Sequence, residues 1–234
     1  MLQLCPIPAQ SGYLLLSFLA AKLDLTVNQF TLNVLNERSF IFIGVNMSLE
    51  KSELIMAHAE QLFITHGFHG TSMQMIAKAA GIAAGTVYLH FASKEGLIRT
   101  IYRRAVTDML NCLLKGYDPK PAPFERYRSF WLNAYHELKE KQNLVHFKDL
   151  YERSPFYNED DRLWADEQWQ PVEQFYLDGI ESGLFRNMPP CMLGYLSLGS
   201  VLSISQTQRV TPFEMTPDLE EQLIRASWRA ILAE

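Results

Sequence analysis

Apolar residues recur every three or four positions through most of the chain after residue 47, which is the spacing of amphipathic helices. The pattern predicts a helix over 48–66, ended by Gly67, and then two short helices joined by a turn at Gly81. Further helices are predicted over 94–114, 124–142, 144–151, 160–183, 191–208 and 218–233. Since no alternating pattern of the kind that strands show persists, the sequence predicts an all-α fold.

The two short helices carry the polar residues of greatest interest. Ser72 is placed to cap the first helix, and Gly81 suits the left-handed conformation that ends one. The second helix, predicted over 84–91, turns one apolar face inward and presents hydroxyls and an imidazole on the other, from Thr86, Tyr88 and His90. Such groups bind phosphate oxygens and base edges. The stretch therefore predicts a helix-turn-helix whose second helix enters the DNA major groove.

Lys94 stands in the first turn of the next predicted helix, directly after the capping residue Ser93. The helix dipole favours acids rather than bases at this end. A lysine here is better explained if an anion lies opposite it, and DNA phosphate is such an anion.

These residues resemble the signature of the TetR/AcrR family of regulators across about 49–102. The matching residues, in order, are Gly67-Phe68, Thr71-Ser72, Ile76-Ala77, Ala80-Gly81-Ile82, Gly85-Thr86-Val87-Tyr88, His90-Phe91 and Ser93-Lys94-Glu95. The chain departs from the family pattern at Ala83 and Ala84, where the family often has a serine and a lysine or a similar polar residue. Two common polar contacts with DNA are therefore missing.

The resemblance implies a role for each exposed residue of the head. Tyr88 and Lys94 are expected to contact phosphates, and Thr86 and His90 are expected to do the same. Gln74, Gly85 and Leu89 are the candidates for reaching bases, although Leu89 could equally be a packing residue. The full set expected at DNA is Ser72, Gln74, Ala83, Ala84, Gly85, Thr86, Tyr88, Leu89, His90 and Lys94.

Charge is unevenly distributed along the chain, whose formal net charge is −5. Residues 47–104 hold six Lys and Arg against four Asp and Glu, while residues 105–234 hold thirteen against twenty. A mildly basic head on an acidic body fits localised phosphate contact better than nonspecific coating of nucleic acid.

Several other classes of function find no support in the sequence. The three cysteines, Cys5, Cys112 and Cys191, form no CxxC pair, so we expect no disulfide framework, no structural zinc and a reducing cytoplasm. His66 and His69 have no third metal ligand at suitable spacing, and we expect no metal or cofactor. No apolar run reaches the ~18–20 residues of a membrane span. No nucleophile–base pair or acid dyad indicates an enzyme.

The predicted domains are a head over 47–104 and a helical body over 105–234, with a proline-rich linker over 118–123. Residues 1–46 are predicted to be a non-native or disordered extension, because Met47 begins a sequence of the kind that starts the family's first helix. The alternative is a genuine N-terminal arm that is helical over 14–23.

The body is rich in aromatic residues at helical spacing, which either line a cavity or fill a solid core. The family places its effector pocket among the middle helices, so a largely apolar or aromatic effector is expected there. The residues expected at this ligand are Trp131, Tyr135, Phe147, Tyr151, Trp164, Gln168 and Phe175. Trp131 and Phe175 are predicted to face one another across the cavity, with Gly179 and Gly183 leaving gaps.

Small residues over 191–208 allow close helix approach, and the resemblance implies that 191–208 and 218–233 pair with the same helices of a second subunit. The function expected is that of a homodimeric repressor of a near-palindromic DNA operator, released by a small-molecule effector. Two alternatives stay open at this point. One is a ligand-independent DNA-binding regulator, and the other is a small-molecule binding protein whose head has lost its affinity for DNA.

Overall fold

The computed structural model describes residues 27–233, and only the backbone in 27–47, Gln142 and 206–210. The described chain is all-α, as predicted, with one isolated antiparallel bridge between Phe185 and Leu232. Its helices are α1 (Val27–Gly70), α2 (Met73–Ala79), α3 (Ala84–His90), α4 (Lys94–Leu113), α5 (Pro123–Glu140), α6 (Gln142–Glu152), α7 (Glu159–Glu181), α8 (Pro190–Leu196), α9 (Leu198–Val210) and α10 (Pro217–Ile231).

Helix α1 begins at Val27, well before the predicted start at residue 48. Its helical conformation is interrupted at Gly67, where φ is 72°, a value that glycine adopts without steric cost. The described residues up to Leu54 and the residues from Ile55 onward belong to separate compact units. The prediction for residues 1–46 falls partly on residues outside the described range, and the alternative helix over 14–23 lies wholly outside it.

The turn between α2 and α3 is a Schellman motif. The Ile82 amide donates to the Ala77 carbonyl over 3.0 Å, and the Gly81 amide donates to the Lys78 carbonyl over 3.2 Å. Gly81 has a φ of 65°, as the motif requires. The start of α2 is capped as predicted, since the Met75 amide donates to the Ser72 hydroxyl oxygen over 3.2 Å. These local bonds set the angle at which α3 leaves the head.

Helix α4 connects the head to the body. Its first turns contribute Leu97 and Ile98 to the core of the head, and its later turns are buried in the body through residues such as Met109. It packs against α5, α6 and α7, while α5 also packs against α9 and α10. A single apolar core therefore runs from the head into the body along α4.

The predicted helix over 191–208 is broken into α8 and α9, so that expectation was wrong. The break lies at Ser197, whose backbone has φ −105° and ψ −83°. The Ser197 hydroxyl donates to the Leu193 carbonyl over 2.6 Å and lies 2.9 Å from the Tyr176 hydroxyl of α7. A serine that bonds the carbonyl of the preceding turn competes with the helix and here accompanies its end.

Candidate functional site

Helix α3 presents an open face beside the closed core of the head. Val87 points inward and is fully buried, whereas Tyr88 is 52% exposed and Leu89 is 86% exposed. Such exposure of a leucine excludes the alternative that Leu89 fills the core of the head. Ala84 and Gly85 are exposed on the first turn of the same helix. The face therefore combines one phenol, one large aliphatic group and a nearly bare stretch of backbone.

The start of α3 lacks a side-chain cap. Ala83 occupies the capping position in an extended conformation and has no side chain that could accept a hydrogen bond. Where the family often supplies polar side chains, Ala83 and Ala84 supply only exposed methyl groups. Gln74 and Ser72 of α2 are also exposed, whereas Thr86 and His90 are half-buried on α3.

Lys94 has partners inside the protein that sequence reasoning did not foresee. Its ammonium donates to the Phe68 carbonyl over 3.0 Å and to the Thr71 carbonyl over 3.3 Å. Both carbonyls lie at the end of α1 or just after it, where helical partners are lacking. An ammonium has three N–H donors, so one is left for an anion such as phosphate.

Thr71 is a second residue of the head whose role the sequence pattern did not reveal. Its side chain is buried, and its hydroxyl lies within hydrogen-bond reach of the Leu62 carbonyl at 3.2 Å and the Gly67 carbonyl at 3.0 Å. Gly67 interrupts α1, so carbonyls near it need partners other than the helical amides. Thr71 and Lys94 together hold the end of α1 against the start of α4.

Comparison with known proteins decides the family. The model of bacterial regulatory proteins of the tetR family matches residues 55–101, and the model of the tetracyclin repressor-like C-terminal domain matches residues 123–232. The chain belongs to the TetR family. Members are transcriptional regulators that bind DNA through the helix-turn-helix, so the resemblance seen in the sequence is confirmed.

Relatives from the TetR family match across most of the chain. An uncharacterised HTH-type transcriptional regulator of Haemophilus influenzae is 28% identical over 77% of this chain and 95% of its own length. A solved TetR-family regulator from Vibrio parahaemolyticus is 28% identical with a TM-score of 0.70, covering 79% of this chain and 99% of its own. AibR, solved in complex with isovaleryl coenzyme A and operator DNA, shares the fold at 22% identity and a TM-score of 0.57, over 78% of this chain and 98% of its own.

The aromatic residues expected at an effector of the TetR type fall into three groups of ring contacts rather than one. Phe147, Tyr151 and Trp164 belong to a head-side cluster, in which Phe147 lies 5.7 Å from Phe68 between ring centroids and Tyr151 lies 4.5 Å from Tyr102. The Trp164 ring lies 6.3 Å from the Tyr102 ring in the same cluster. Three of the seven predicted ligand residues are thus grouped around α4 and the end of α1.

Trp131 and Tyr135 form a second group on α5, and Phe175 belongs to a third group together with Phe130. The Trp131 ring stacks on the Tyr135 ring with centroids 5.5 Å apart. Phe175 meets Phe130, the neighbour of Trp131 on α5, edge-on at 5.4 Å. A Cβ at Gly179 would overlap the ring of Phe185, so the expectation that Gly179 leaves a gap was wrong.

The indole N–H of Trp131 is buried and has no hydrogen-bond partner in the described part of the chain. An unpaired buried donor carries a desolvation cost of about 1–3 kcal/mol, which a bound acceptor would remove. Gln168 is half-buried on α7. Two surface grooves, of about 560 and 640 Å³, are lined by other residues, including His69, Arg153 and Phe156 in the smaller and Glu60, Asp108 and Lys139 in the larger.

Asp161 is a buried carboxylate that the sequence analysis missed. Its side chain is fully buried in the first turn of α7, and the Tyr151 hydroxyl donates to its Oδ2 over 2.7 Å. Nε of Arg99 donates to the same oxygen over 3.3 Å, and Nη2 of Arg103 lies 3.6 Å from Oδ1. Burial, and then the Asp161 carboxylate, raise the pKa of Tyr151 to about 12, so its hydroxyl stays protonated and able to donate into the alkaline range.

Among the side chains that the structure describes, over 48–233 apart from Gln142 and 206–210, no group of three or more His, Cys, Asp and Glu residues is arranged to hold a metal ion. Of the helices within 27–233, none is long and apolar enough to cross a membrane.

Proposed function

We propose that the protein is a homodimeric repressor that binds a near-palindromic operator and leaves it when a small, largely apolar or aromatic effector binds the body. The observation that carries the proposal is the outward face of α3, where Tyr88 and Leu89 are exposed beside a fully buried Val87. A helix that buries one side so completely and leaves large side chains on the other is suited to a partner surface.

At DNA, α3 lies in the major groove. The exposed Tyr88 hydroxyl and the remaining N–H of Lys94 contact phosphates. Thr86 and His90 add further phosphate contacts. Gly85 brings its backbone close to the groove, while Leu89 reaches the methyl-bearing edges of bases. Gln74, on α2, lies beside the same groove. Phosphate contacts give affinity and register, and base contacts give sequence preference.

The dimer is proposed to form through 191–208 and 218–233. Helix α8 exposes Met192, Tyr195 and Leu196, and Tyr195 is 71% exposed. A contiguous apolar patch of this kind on a regulator indicates an interaction surface. Because a two-fold interface presents two identical heads, the operator is expected to consist of two inverted half-sites about one helical turn apart.

The effector is proposed to bind among the body helices, with the Trp131 N–H donating to one of its acceptor atoms. An otherwise aromatic surrounding favours an apolar or aromatic ligand that carries a carbonyl or carboxylate. AibR, which shares the fold, has been solved in complex with isovaleryl coenzyme A and operator DNA. This supports the proposal that a protein of this fold binds both a small effector and DNA. Release of DNA requires that the effector bind the non-binding arrangement more tightly.

Genome-wide selection of bound fragments by the purified full chain tests the DNA part. The expected result is a small number of near-palindromic sites whose binding survives competitor DNA and weakens steeply with salt. Recovery of unrelated fragments with no shared motif would overturn it.

Sedimentation measurements test the dimer. Tyr195→Asp is expected to shift the protein towards monomer, since it places a charge in an apolar contact. Leu163→Asp is the matched control, because Leu163 is also an exposed apolar residue but lies on α7. A dimer that tolerates Tyr195→Asp as well as Leu163→Asp would exclude this surface.

The exposed methyl groups of Ala83 and Ala84 favour a second candidate, a small-molecule binding protein whose head has lost affinity for DNA. The fragment selection distinguishes it, because such a protein recovers no shared motif. Ala84→Lys restores a cation near the DNA backbone and is expected to strengthen binding in a protein that already binds its operator.

A further inference from the structure

Four side chains connect α4, the helix that leads out of the head, to α6 and α7 of the body. They are Arg99 and Arg103 of α4, Tyr151 of α6 and Asp161 of α7, and we name them the α4 clamp. Arg99 and Arg103 lie one turn apart on α4, and both approach the same carboxylate. The clamp therefore holds α4 at two successive turns against the first turn of α7 and the end of α6.

Burial makes the clamp depend on all its members. The Asp161 side chain is fully buried, and a buried carboxylate is tolerated only when charged or hydrogen-bonding partners surround it. The Asn158 side chain caps α7 by accepting a hydrogen bond from the Asp161 amide over 3.0 Å, which anchors the backbone that carries the carboxylate. Loss of one donor leaves a buried charge with fewer partners, so the position of α4 against α6 and α7 is no longer stabilised.

A second set of contacts continues the clamp along α4. The Tyr102 hydroxyl donates to Glu152 Oε1 over 3.1 Å, and Lys148 pairs with the other oxygen of Glu152 at 2.7 Å. The Arg103 guanidinium carbon lies 5.0 Å from the centre of the Trp164 ring. Arg103 is thus held by a carboxylate and an aromatic face at once.

The head follows α4 because it shares its core with that helix. Leu97 and Ile98, which directly precede Arg99, are fully buried in the same apolar core as Ile76 and Val87 of α2 and α3. A change in the position of α4 against α7 therefore moves α2 and α3 together with α4.

We propose that Asp161 is a positioning residue for the head: through Arg99, Arg103 and Tyr151 it sets the orientation of α4, and hence of α3, relative to the body. The part of this inference that concerns DNA rests on the proposed function, but the positioning itself does not. Tyr151 and Trp164 were expected at the effector, so a ligand that displaces either of them loosens the same clamp.

The test measures the distance between head and body without DNA. Spin labels are attached to the full chain at Ala79→Cys on α2 and Glu173→Cys on α7, both exposed positions, in a background with Cys5→Ser, Cys112→Ala and Cys191→Ser. Labelled chains are diluted into unlabelled ones, so that distances within one chain dominate. The clamp is opened with Asp161→Asn and, more mildly, with Tyr151→Phe.

Asp166→Asn is the matched control. Asp166 lies on the same helix, is exposed, and pairs with Arg162 of its own helix at 2.6 Å. We expect both clamp variants to shift or widen the distance distribution by about 2 Å or more, the scale of helix shifts in switching proteins, and the control to match the wild type. If Asp161→Asn fails to fold, Tyr151→Phe decides alone.

Folded clamp variants with the wild-type distance distribution would overturn the proposal. A parallel titration uses the operator recovered by fragment selection and a version with one base pair inserted between its half-sites. The clamp variants are expected to discriminate between the two less than the wild type does. Absence of any sequence-specific binding by the wild type would be a failure of the proposed function alone, since the distance measurement still reports on the clamp.

Discussion

The side-chain ammonium of Lys94 lies 3.0 Å from the carbonyl oxygen of Phe68, so the first residue of α4 is bonded to the end of α1. A second hydrogen bond, to the Thr71 carbonyl, makes Lys94 a link between α1 and α4. The helix dipole disfavours a lysine at this position. The hydrogen bonds to the two carbonyls explain much of why a lysine is found there. A role at DNA must use the donor that remains.

Lys94→Ala is expected to lower the free energy of unfolding and also weaken DNA binding. Loss of a charged donor to two carbonyls costs about 1.5–3 kcal/mol, and loss of one phosphate contact lowers the salt slope by about one. Denaturant unfolding and operator titration over a salt series measure the two effects. Lys78→Ala, at an exposed lysine of α2, is the control for stability. An unchanged salt slope would mean that Lys94 links α1 to α4 but does not contact a DNA phosphate.

Tyr88→Phe separates DNA contact from stability more cleanly. The Tyr88 hydroxyl has no partner in the described part of the chain, so its removal is expected to leave the unfolding free energy unchanged. Operator affinity is expected to fall by about tenfold or less, equally for all sequences, because a phosphate contact carries no base information. Tyr195→Phe, an equally small change on the exposed body helix α8, should leave affinity intact. Equal effects of the two variants would contradict the assignment.

Local sequence signals predicted the head well and the tertiary contacts of the body poorly. Ser72 and Gly81 act on residues within one turn, so their caps could be read from the sequence alone. The end of α8 at Ser197 accompanies a contact with Tyr176, 21 positions earlier, and no local pattern announces it. Asp161 is one of three acids at the start of α7, and only the packing of α4 singles it out.

The predicted effector residues show the same limit in another form. Helical spacing correctly placed Trp131, Phe147 and Phe175 on buried faces, and all three are buried. Spacing does not tell which neighbouring helix a buried face meets. Phe147 therefore lies in the head-side cluster, whereas Trp131 stacks on Tyr135 and Phe175 meets Phe130.

Trp131→Ala tests whether Trp131 lines a pocket. A solid core would lose about 3–5 kcal/mol, whereas a pocket wall loses clearly less because one side of the ring already lacks protein contacts. We expect the smaller loss, with DNA binding retained and release by the effector abolished. Phe130→Ala is the matched control, since Phe130 is fully buried on the same helix and stacks on Tyr117 at 5.1 Å. Equal losses in the two variants would mean a filled core.

The buried hydroxyl of Tyr127 predicts a loss of stability in alkali. Burial raises the pKa of Tyr127 to about 12 from its usual 10, although its bond to Ser227 of α10 acts in the opposite direction. Below pH 10 the hydroxyl is protonated in both states. Above it the unfolded chain ionises first, so stability falls as pH rises from 10 to about 12.

Tyr127→Phe is therefore expected to reduce this alkaline loss by about 1.4 kcal/mol at pH 11 and by about 2.8 kcal/mol well above pH 12, since each unit of pKa difference is worth about 1.4 kcal/mol. At pH 7 the same variant loses the 2.7 Å bond to Ser227 and about 1 kcal/mol of stability. Denaturant unfolding at pH 7, 10 and 11 measures both effects. Parallel curves for the two proteins above pH 10 would show that another group causes the loss.

Gly85→Ala is expected to raise stability and lower DNA affinity at once. Nothing lies within 4 Å of a Cβ at Gly85, which belongs to a regular turn of α3, so alanine fits the folded head without strain. Alanine in place of glycine within a helix stabilises by about 0.5–1 kcal/mol. If the Gly85 backbone approaches the groove, however, the added methyl group lies between the helix and the bases and holds the two surfaces apart. Thermal melts and titrations with operator and unrelated DNA distinguish these contributions. A gain in stability with unchanged operator affinity would place Gly85 away from the bases and leave Tyr88 and Leu89 as the contacting part of α3.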